Sequence, residues 1–186
     1  RHVGLLLDEP VQERVDGFLL DQLVAGRDQP VTRVADRLQG VEALARWNHP
    51  TRGIVPPNEF IPIAEESGLI TPISEWVLGA ACRQAKLWRA SDLPPVTMAV
   101  NLSARQIEHP HFIEKFTHCL HESGIQGQGL EIEITESTLM RDMDGSIEKL
   151  RRLADMGVEI AIDDFGTGYS SLSYLKKLPI HSLKID

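Results

Sequence analysis

Two adjacent carboxylates, Asp163 and Asp164, follow the apolar run Ile160-Ala161-Ile162. Carboxylates at the end of a buried strand are costly unless their charge is compensated, and neighbouring ones repel each other as well. Other apolar runs carry groups of the same kind near their ends. These are Glu42 in Val41-Glu42-Ala43-Leu44, Asn101 in Ala99-Val100-Asn101-Leu102, Glu133 in Glu131-Ile132-Glu133-Ile134-Thr135, and Lys184 between Leu183 and Ile185. Several carboxylates aimed at one point need protons or a bound cation. Oxygen donors from Glu, Asn and Asp, without clustered His or Cys, suit a hard ion such as Mg2+ or Mn2+ better than zinc. Adjacent aspartates are placed to share two ions. Two ions roughly 3.5–4 Å apart can activate a water and stabilise the leaving oxygen of phosphodiester hydrolysis.

Each residue has a plainer reading when taken alone. Glu42 reads as a salt-bridge partner, Asn101 as a turn residue, Glu131 and Glu133 as the polar face of a half-solvated strand, and Lys184 as a surface lysine. The joint pattern, successive strands ending in ligand-type groups, carries the argument. Gly166-Thr167-Gly168-Tyr169-Ser170-Ser171 follows the aspartates but lacks the third glycine of a dinucleotide fingerprint. Two aspartates just before it would also repel a pyrophosphate. It reads instead as a turn whose backbone amides could face an ion-bound phosphate.

The elements that must position these groups alternate from about Gly40 onward. Strands are expected at Gly40–Leu44, Val96–Leu102, Leu130–Thr135, Val158–Asp163 and His181–Asp186. Helices are expected at Pro57–Ser67, Ile73–Ala90, Pro110–Ser123, Ser146–Met156 and Ser170–Lys176. In the second helix Ile73, Trp76, Val77, Ala80, Ala81 and Gln84 recur at helical spacing. Gly124 and Gly157 mark helix ends. Alternation of this kind means βαβ units and a parallel sheet, either open and doubly wound or a (β/α)8 barrel. Functional groups spread over several strand ends favour the barrel. A full barrel takes about 250 residues, so this α/β chain supplies about six of eight units. Before Gly40, Val11, Val15, Phe18, Leu19 and Leu23 suggest an amphipathic helix within a divergent N-terminal region, residues 1–28. Val31–Val34, after Gln29-Pro30, reads as an edge strand.

The 186 residues, 42% hydrophobic and 25% charged, are those of one ordinary globular domain. A formal charge of −8 argues against a nucleic-acid polymer as partner. Cys82 and Cys119 stand apart without metal-ligand spacing and read as reduced core thiols of a cytoplasmic domain. Val3–Leu7 is too short for a signal peptide core or a membrane span. A start at Arg1 rather than Met suggests a piece of something longer.

These residues resemble the EAL domain of bacterial cyclic di-GMP phosphodiesterases. The resemblance rests on Glu42-Ala43-Leu44 with Ala45-Arg46-Trp47-Asn48-His49-Pro50, and on the stretch from Pro56-Pro57-Asn58-Glu59-Phe60 to Glu65-Glu66-Ser67-Gly68. Val100-Asn101-Leu102-Ser103, Glu131-Ile132-Glu133-Ile134-Thr135-Glu136-Ser137, Asp163-Asp164-Phe165-Gly166-Thr167-Gly168 and Leu183-Lys184-Ile185-Asp186 complete it. It covers about Gln29 to Asp186 in order and identifies the whole chain as a single EAL domain.

The resemblance implies a modified barrel whose first strand runs antiparallel, with Glu42, Asn101, Glu133, Asp163 and Asp164 ligating two Mg2+ or Mn2+ ions. Ca2+ would inhibit. Lys184 would sit beside the nucleophilic water, Arg46 would bind a substrate phosphate, and Gln29 would contact substrate. Glu136 would support the loop after the aspartates, which couples activity to dimerisation, so a homodimer with regulatory or sensor domains in the parent protein is expected. The reaction would be hydrolysis of cyclic di-GMP to linear pGpG. The other function a degenerate relative could serve is that of a non-catalytic cyclic di-GMP receptor or interaction module.

The sequence departs from the family pattern in two respects. Asp28 stands where the family has Tyr, with Pro30 to Gly40 one residue short. The family's later Ala-Glu-Gly-Val-Glu segment and last two barrel units lie beyond Asp186. The expectation is that the isolated chain turns over little substrate.

Overall fold

Period-two apolar patterning and capped amphipathic runs become alternating strands and helices in a computed structural model, which describes residues 14–15, 18–19, 31–34, 37–91, 95–166 and 175–184. In chain order the elements are β1 (Arg14–Val15), β2 (Phe18–Leu19), β3 (Val31–Val34), β4 (Arg37–Ala43), β5 (Trp47–His49), β6 (Gly53–Val55), α1 (Pro57–Ser67) and α2 (Ile70–Arg89). There follow β7 (Thr97–Asn101), α3 (Ala104–Glu108), α4 (Phe112–Ser123), β8 (Leu130–Thr135), α5 (Glu136–Leu139), α6 (Met143–Asp155), β9 (Glu159–Asp163) and β10 (Ser182–Leu183).

The main sheet has six strands in the order β3-β4-β7-β8-β9-β10, which is chain order. β3 pairs antiparallel with β4, and every later neighbour pairs in parallel. A doubly wound sheet reverses its strand order at a switch point. This sheet has no reversal among its described strands, which is the winding of a (β/α)8 barrel. The antiparallel first strand is the modification that the family resemblance implies. β3 is an edge strand, as Gln29-Pro30 suggested.

Register decides which residues share a face. Glu42 is opposite Ala99, Asn101 is opposite Glu133, Glu133 is opposite Ala161, and Thr135 is opposite Asp163. Parallel partners point the same way, and residues two apart on a strand point the same way. One face therefore carries Glu42, Ala99, Asn101, Glu131, Glu133, Ala161 and Asp163. The other carries Ala43, Met98, Val100, Ile132, Ile134, Ile160 and Ile162, all buried in one core with residues of α2, α4 and α6. Ile132, Ile134, Ile160 and Ile162 are at most 1% exposed. Burying such side chains contributes about 1.5–3 kcal/mol each, which holds the sheet against its helices and fixes the register.

The helix ends follow local chemistry. α4 ends at Gly124, whose φ of 63° suits glycine, and Gly157 follows α6 with φ 86°. α2 begins at Ile70, ahead of the expected Ile73, because Pro72 lies in the first turn, where a missing N–H costs nothing. α6 begins at Met143 rather than Ser146, since the Asp142 side chain accepts from the Gly145 N–H and caps it.

Several expectations are corrected. Where an amphipathic helix was expected near Val11–Leu23, the described residues Arg14–Val15 and Phe18–Leu19 pair antiparallel. The sequence between them, Asp16-Gly17, favours hairpins. The β5–β6 hairpin, α3 and α5 were not anticipated. The hairpin follows from three-residue connection chemistry: His49 Nδ1 accepts from the Thr51 and Arg52 N–H groups at 3.2 and 3.3 Å. β10 is described only as Ser182–Leu183, and the helix expected at Ser170–Lys176 lies largely outside the described residues. Cys82 and Cys119, isolated in sequence, have neighbouring thiols on the facing helices α2 and α4, and both are free.

Candidate metal centre and active site

Glu42, Asn101, Glu133 and Asp163 arrive on four neighbouring strands, β4, β7, β8 and β9. Asn101 Nδ2 donates to Glu42 Oε1 at 2.6 Å, tying β7 to β4. Glu133, in mid-sheet on β8, is 2% exposed, and its Oε1 accepts from Lys184 Nζ just beyond β10. Glu131 Oε1 lies 3.5 Å from the same ammonium, and Glu131 Oε2 accepts from Ser182 Oγ at 3.3 Å. On this face Glu133 lies between Asn101 of β7 and the small Ala161 of β9.

The cluster is short of positive charge. Burial pushes the Glu133 carboxyl up, and the Glu42 and Glu131 carboxylates push it further. The Lys184 hydrogen bond and charge pull it down without prevailing, and it rests at about 7. Burial pulls the Lys184 ammonium down, but the Glu133 hydrogen bond and charge, followed by Glu131 and Glu42, outweigh it and hold it above its ordinary value. A buried carboxyl that stays this basic beside a lysine is one that a further cation would stabilise.

β9 ends at Asp163, half-buried on the same face. Asp164 then adopts φ 53°, a left-handed conformation that Asp tolerates better than most residues. Three backbone contacts hold this turn. Phe165 N–H donates to Lys184 O at 3.0 Å, Lys184 N–H donates to Ile162 O at 2.8 Å, and Gly166 N–H donates to Glu136 Oε2 at 3.0 Å. Glu136 is 4% exposed and opens α5 directly after β8. Thr135 caps that helix with its hydroxyl, so the chain turns sharply at the strand end. Ser103, two residues past Asn101, does the same for α3 in a capping box with Gln106.

Arg46 follows β4 half-buried, its Nη1 donating to Ala45 O at 2.9 Å. Gln29 lies outside the described residues. Neither Glu131, beyond its place in the alternation, nor Ser182 and His181 stood out in the sequence as site residues. The period-two spacing of Glu131 and Glu133 was the available signal. Ser182 and His181 had none, because their contacts depend on how β10 lies on β9. A concavity of about 620 Å3 lined by Pro110, His111, residues of α4 and Arg152 shares no residue with this cluster.

Among the described residues no three His, Cys, Asp or Glu side chains form a ready-made ion site. The Lys184 ammonium and the Asn101 amide already occupy oxygens of Glu133 and Glu42. In donor type the set nevertheless fits a hard divalent ion, being all oxygen ligands. It also fits in charge, because Glu133 remains under-compensated. Glu42, Asn101, Glu133, Asp163 and Asp164 are the residues that would hold it.

Comparison with known proteins gives the family of the chain. The family model of the EAL domain matches residues 27–186. The chain is 51% identical over 147 residues to the bifunctional diguanylate cyclase/cyclic di-GMP phosphodiesterase MucR of Pseudomonas aeruginosa, covering 79% of this chain and 22% of that protein. It is 38% identical over 177 residues to the cyclic di-GMP phosphodiesterase NbdA of the same organism, covering 95% and 23%. The solved PaMucR phosphodiesterase in complex with c-di-GMP superposes with a TM-score of 0.78 at 50% identity, covering 81% of this chain and 61% of that one. The chain thus spans about a fifth of the length of these curated relatives. With the family model matching most of its length, and with strand-end carboxylates on a barrel-type sheet, the chain belongs to the EAL domain family.

Proposed function

We propose that this chain is the phosphodiesterase domain of a bacterial second-messenger protein, hydrolysing cyclic di-GMP to linear pGpG with Mg2+ or Mn2+. The observation that supports the proposal is that Glu42, Asn101, Glu133 and Asp163 share one face of neighbouring strands, with Lys184 donating to Glu133, a carboxyl that still lacks compensating charge. The names of the relatives MucR and NbdA support the substrate.

The bound ions would polarise the phosphodiester and favour deprotonation of the attacking water. The water oxygen attacks phosphorus, the P–O3′ bond breaks, and the departing 3′ oxygen takes up a proton, which opens the ring and leaves a 5′-phosphate. This chain's residues make that geometry. Lys184, held charged by Glu133 and Glu131, stabilises the anionic attacking oxygen. Arg46 pairs with a phosphate oxygen, and Glu136 holds the turn after Asp163-Asp164 through the Gly166 amide. Gln29 contacts the substrate in this reading, and association into a homodimer acts through the same turn.

The test is titration of this chain, and of a C-terminally extended form of it, with cyclic di-GMP in Ca2+ and then in Mg2+, with chromatography of the products. Linear dinucleotide formed in Mg2+ by the extended form and abolished by EDTA is the expected result. Binding in both ions with no product from either form overturns hydrolysis in favour of a receptor role.

A further inference from the structure

We propose that His181 is a positioning residue, whose imidazole Nδ1 accepts the Ile160 N–H and thereby seats Lys184 and the Asp163-Asp164 turn in register. The proposal rests on the phosphodiesterase reading only for its functional meaning. Its structural content is independent of turnover.

Among the described residues β10 spans only Ser182–Leu183. It is paired with β9 through Ser182 opposite Ala161 and Leu183 opposite Ile162, and it carries Lys184 immediately beyond. Contacts beside this described pair therefore bear on its register. Below it, His181 serves Ile160 twice. Its own N–H donates to Ile160 O at 2.8 Å, and its Nδ1 accepts from the Ile160 N–H at 3.1 Å. Ile160 is fully buried at 0% exposure. Without this acceptor its N–H would be stranded inside the protein, where unpaired donors are costly.

From this anchor the contacts run directly to the chemistry. Lys184 N–H donates to Ile162 O, Lys184 O accepts from the Phe165 N–H of the acidic turn, and Lys184 Nζ reaches Glu133. One side chain thus stands at the base of a short ladder that aligns the lysine and both aspartates. Because Nδ1 accepts, the ring proton must sit on Nε2.

The experiment uses the metal-free chain and NMR. In the native protein, imidazole 15N shifts should show Nδ1 unprotonated and Nε2 protonated; a proton on Nδ1 overturns the proposal. Amide exchange is then followed at Ile160, Lys184 and Phe165. In His181→Ala all three should exchange ~10-fold faster or more, while Val100 and Ile132 keep their protection. His181→Asn, whose Oδ1 lies close to the Nδ1 position, should restore all three to within about threefold. His181→Gln, which carries its acceptor one bond further out, should behave like the alanine variant. If alanine does not fold, the contrast between the Asn and Gln variants decides. Native exchange rates in His181→Ala, acceleration at Ile160 alone, or failure of Asn to restore protection would each overturn the proposal. None of these readouts requires hydrolysis, so an inactive chain with the expected exchange pattern counts against the phosphodiesterase reading alone.

Discussion

Replacing Glu133 with Gln should flatten the pH dependence of stability, and the structure sets the size of the effect. The Glu133 carboxyl is raised from 4.5 to about 7 by burial and by the charges of Glu42 and Glu131, against the opposing pull of Lys184. A group whose folded pKa lies above its unfolded value binds its proton more tightly in the folded state. Its favourable contribution is therefore complete below about pH 4.5 and is lost as the pH rises to about 7. The full loss is about 3 kcal/mol, and integration between pH 5 and pH 8 gives about 2.5 kcal/mol. With a urea m-value of about 2 kcal/mol/M, the midpoint should fall by about 1.2 M over that range because of this group alone. The assay is urea unfolding of the native chain and of Glu133→Gln at both pH values with EDTA present. Differencing the two proteins cancels other titrating groups, including the histidines. Equal pH dependence in both proteins would refute the claim that Glu133 is buried and under-compensated. Adding Mg2+ at pH 8 should raise the native midpoint by mass action and should do so less in Glu133→Gln, whose amide supplies no charge.

Other consequences are local. Glu136→Ala removes the acceptor of the part-buried Gly166 amide contact, so exchange at that amide should accelerate and stability should fall by about 0.5–1.5 kcal/mol in denaturant unfolding. At Gly127 an added Cβ would collide with the Met156 carbonyl oxygen and with Val158, so Gly127→Ala should lower the thermal midpoint, by about 1–3 kcal/mol in stability. The two thiols should differ in reactivity. The Cys119 thiol is lowered by hydrogen bonding from Cys82 and is partly exposed, whereas Cys82 is buried and raised by the Cys119 hydrogen bond and by burial. Iodoacetamide followed by peptide mapping should label Cys119 in the folded chain, and Cys82 only after unfolding. Leu150→Ala, at a fully buried position on α6, should cost about 2–5 kcal/mol.

Much of the architecture was legible because it is written in short-range chemistry. α1 and β8 occupy the expected bounds, since Pro57 and Gly68 punctuate the one and strict alternation marks the other. The short elements were not legible. α3 and α5 exist because Ser103 and Thr135 cap a single turn at the end of a strand, and such a turn has too little periodicity to read. The cysteines looked isolated because their proximity depends on the packing of α2 against α4.

For the site, the sequence alone determined the donor chemistry. Side-chain type and period-two spacing are local properties, so Glu42, Asn101, Glu133, Asp163 and Lys184 could be picked out as candidate oxygen donors and a cation near strand ends. Tertiary structure decided what those groups do to one another. Strand register placed Asn101 against Glu42 and Lys184 against Glu133, and burial made Glu133 basic. Glu131 and His181 also acquired partners only when β10 came to lie on β9. The physical reason is that desolvation and cross-strand hydrogen bonding depend on distances between residues far apart in the chain, and only packing of the apolar face against the helices sets those distances.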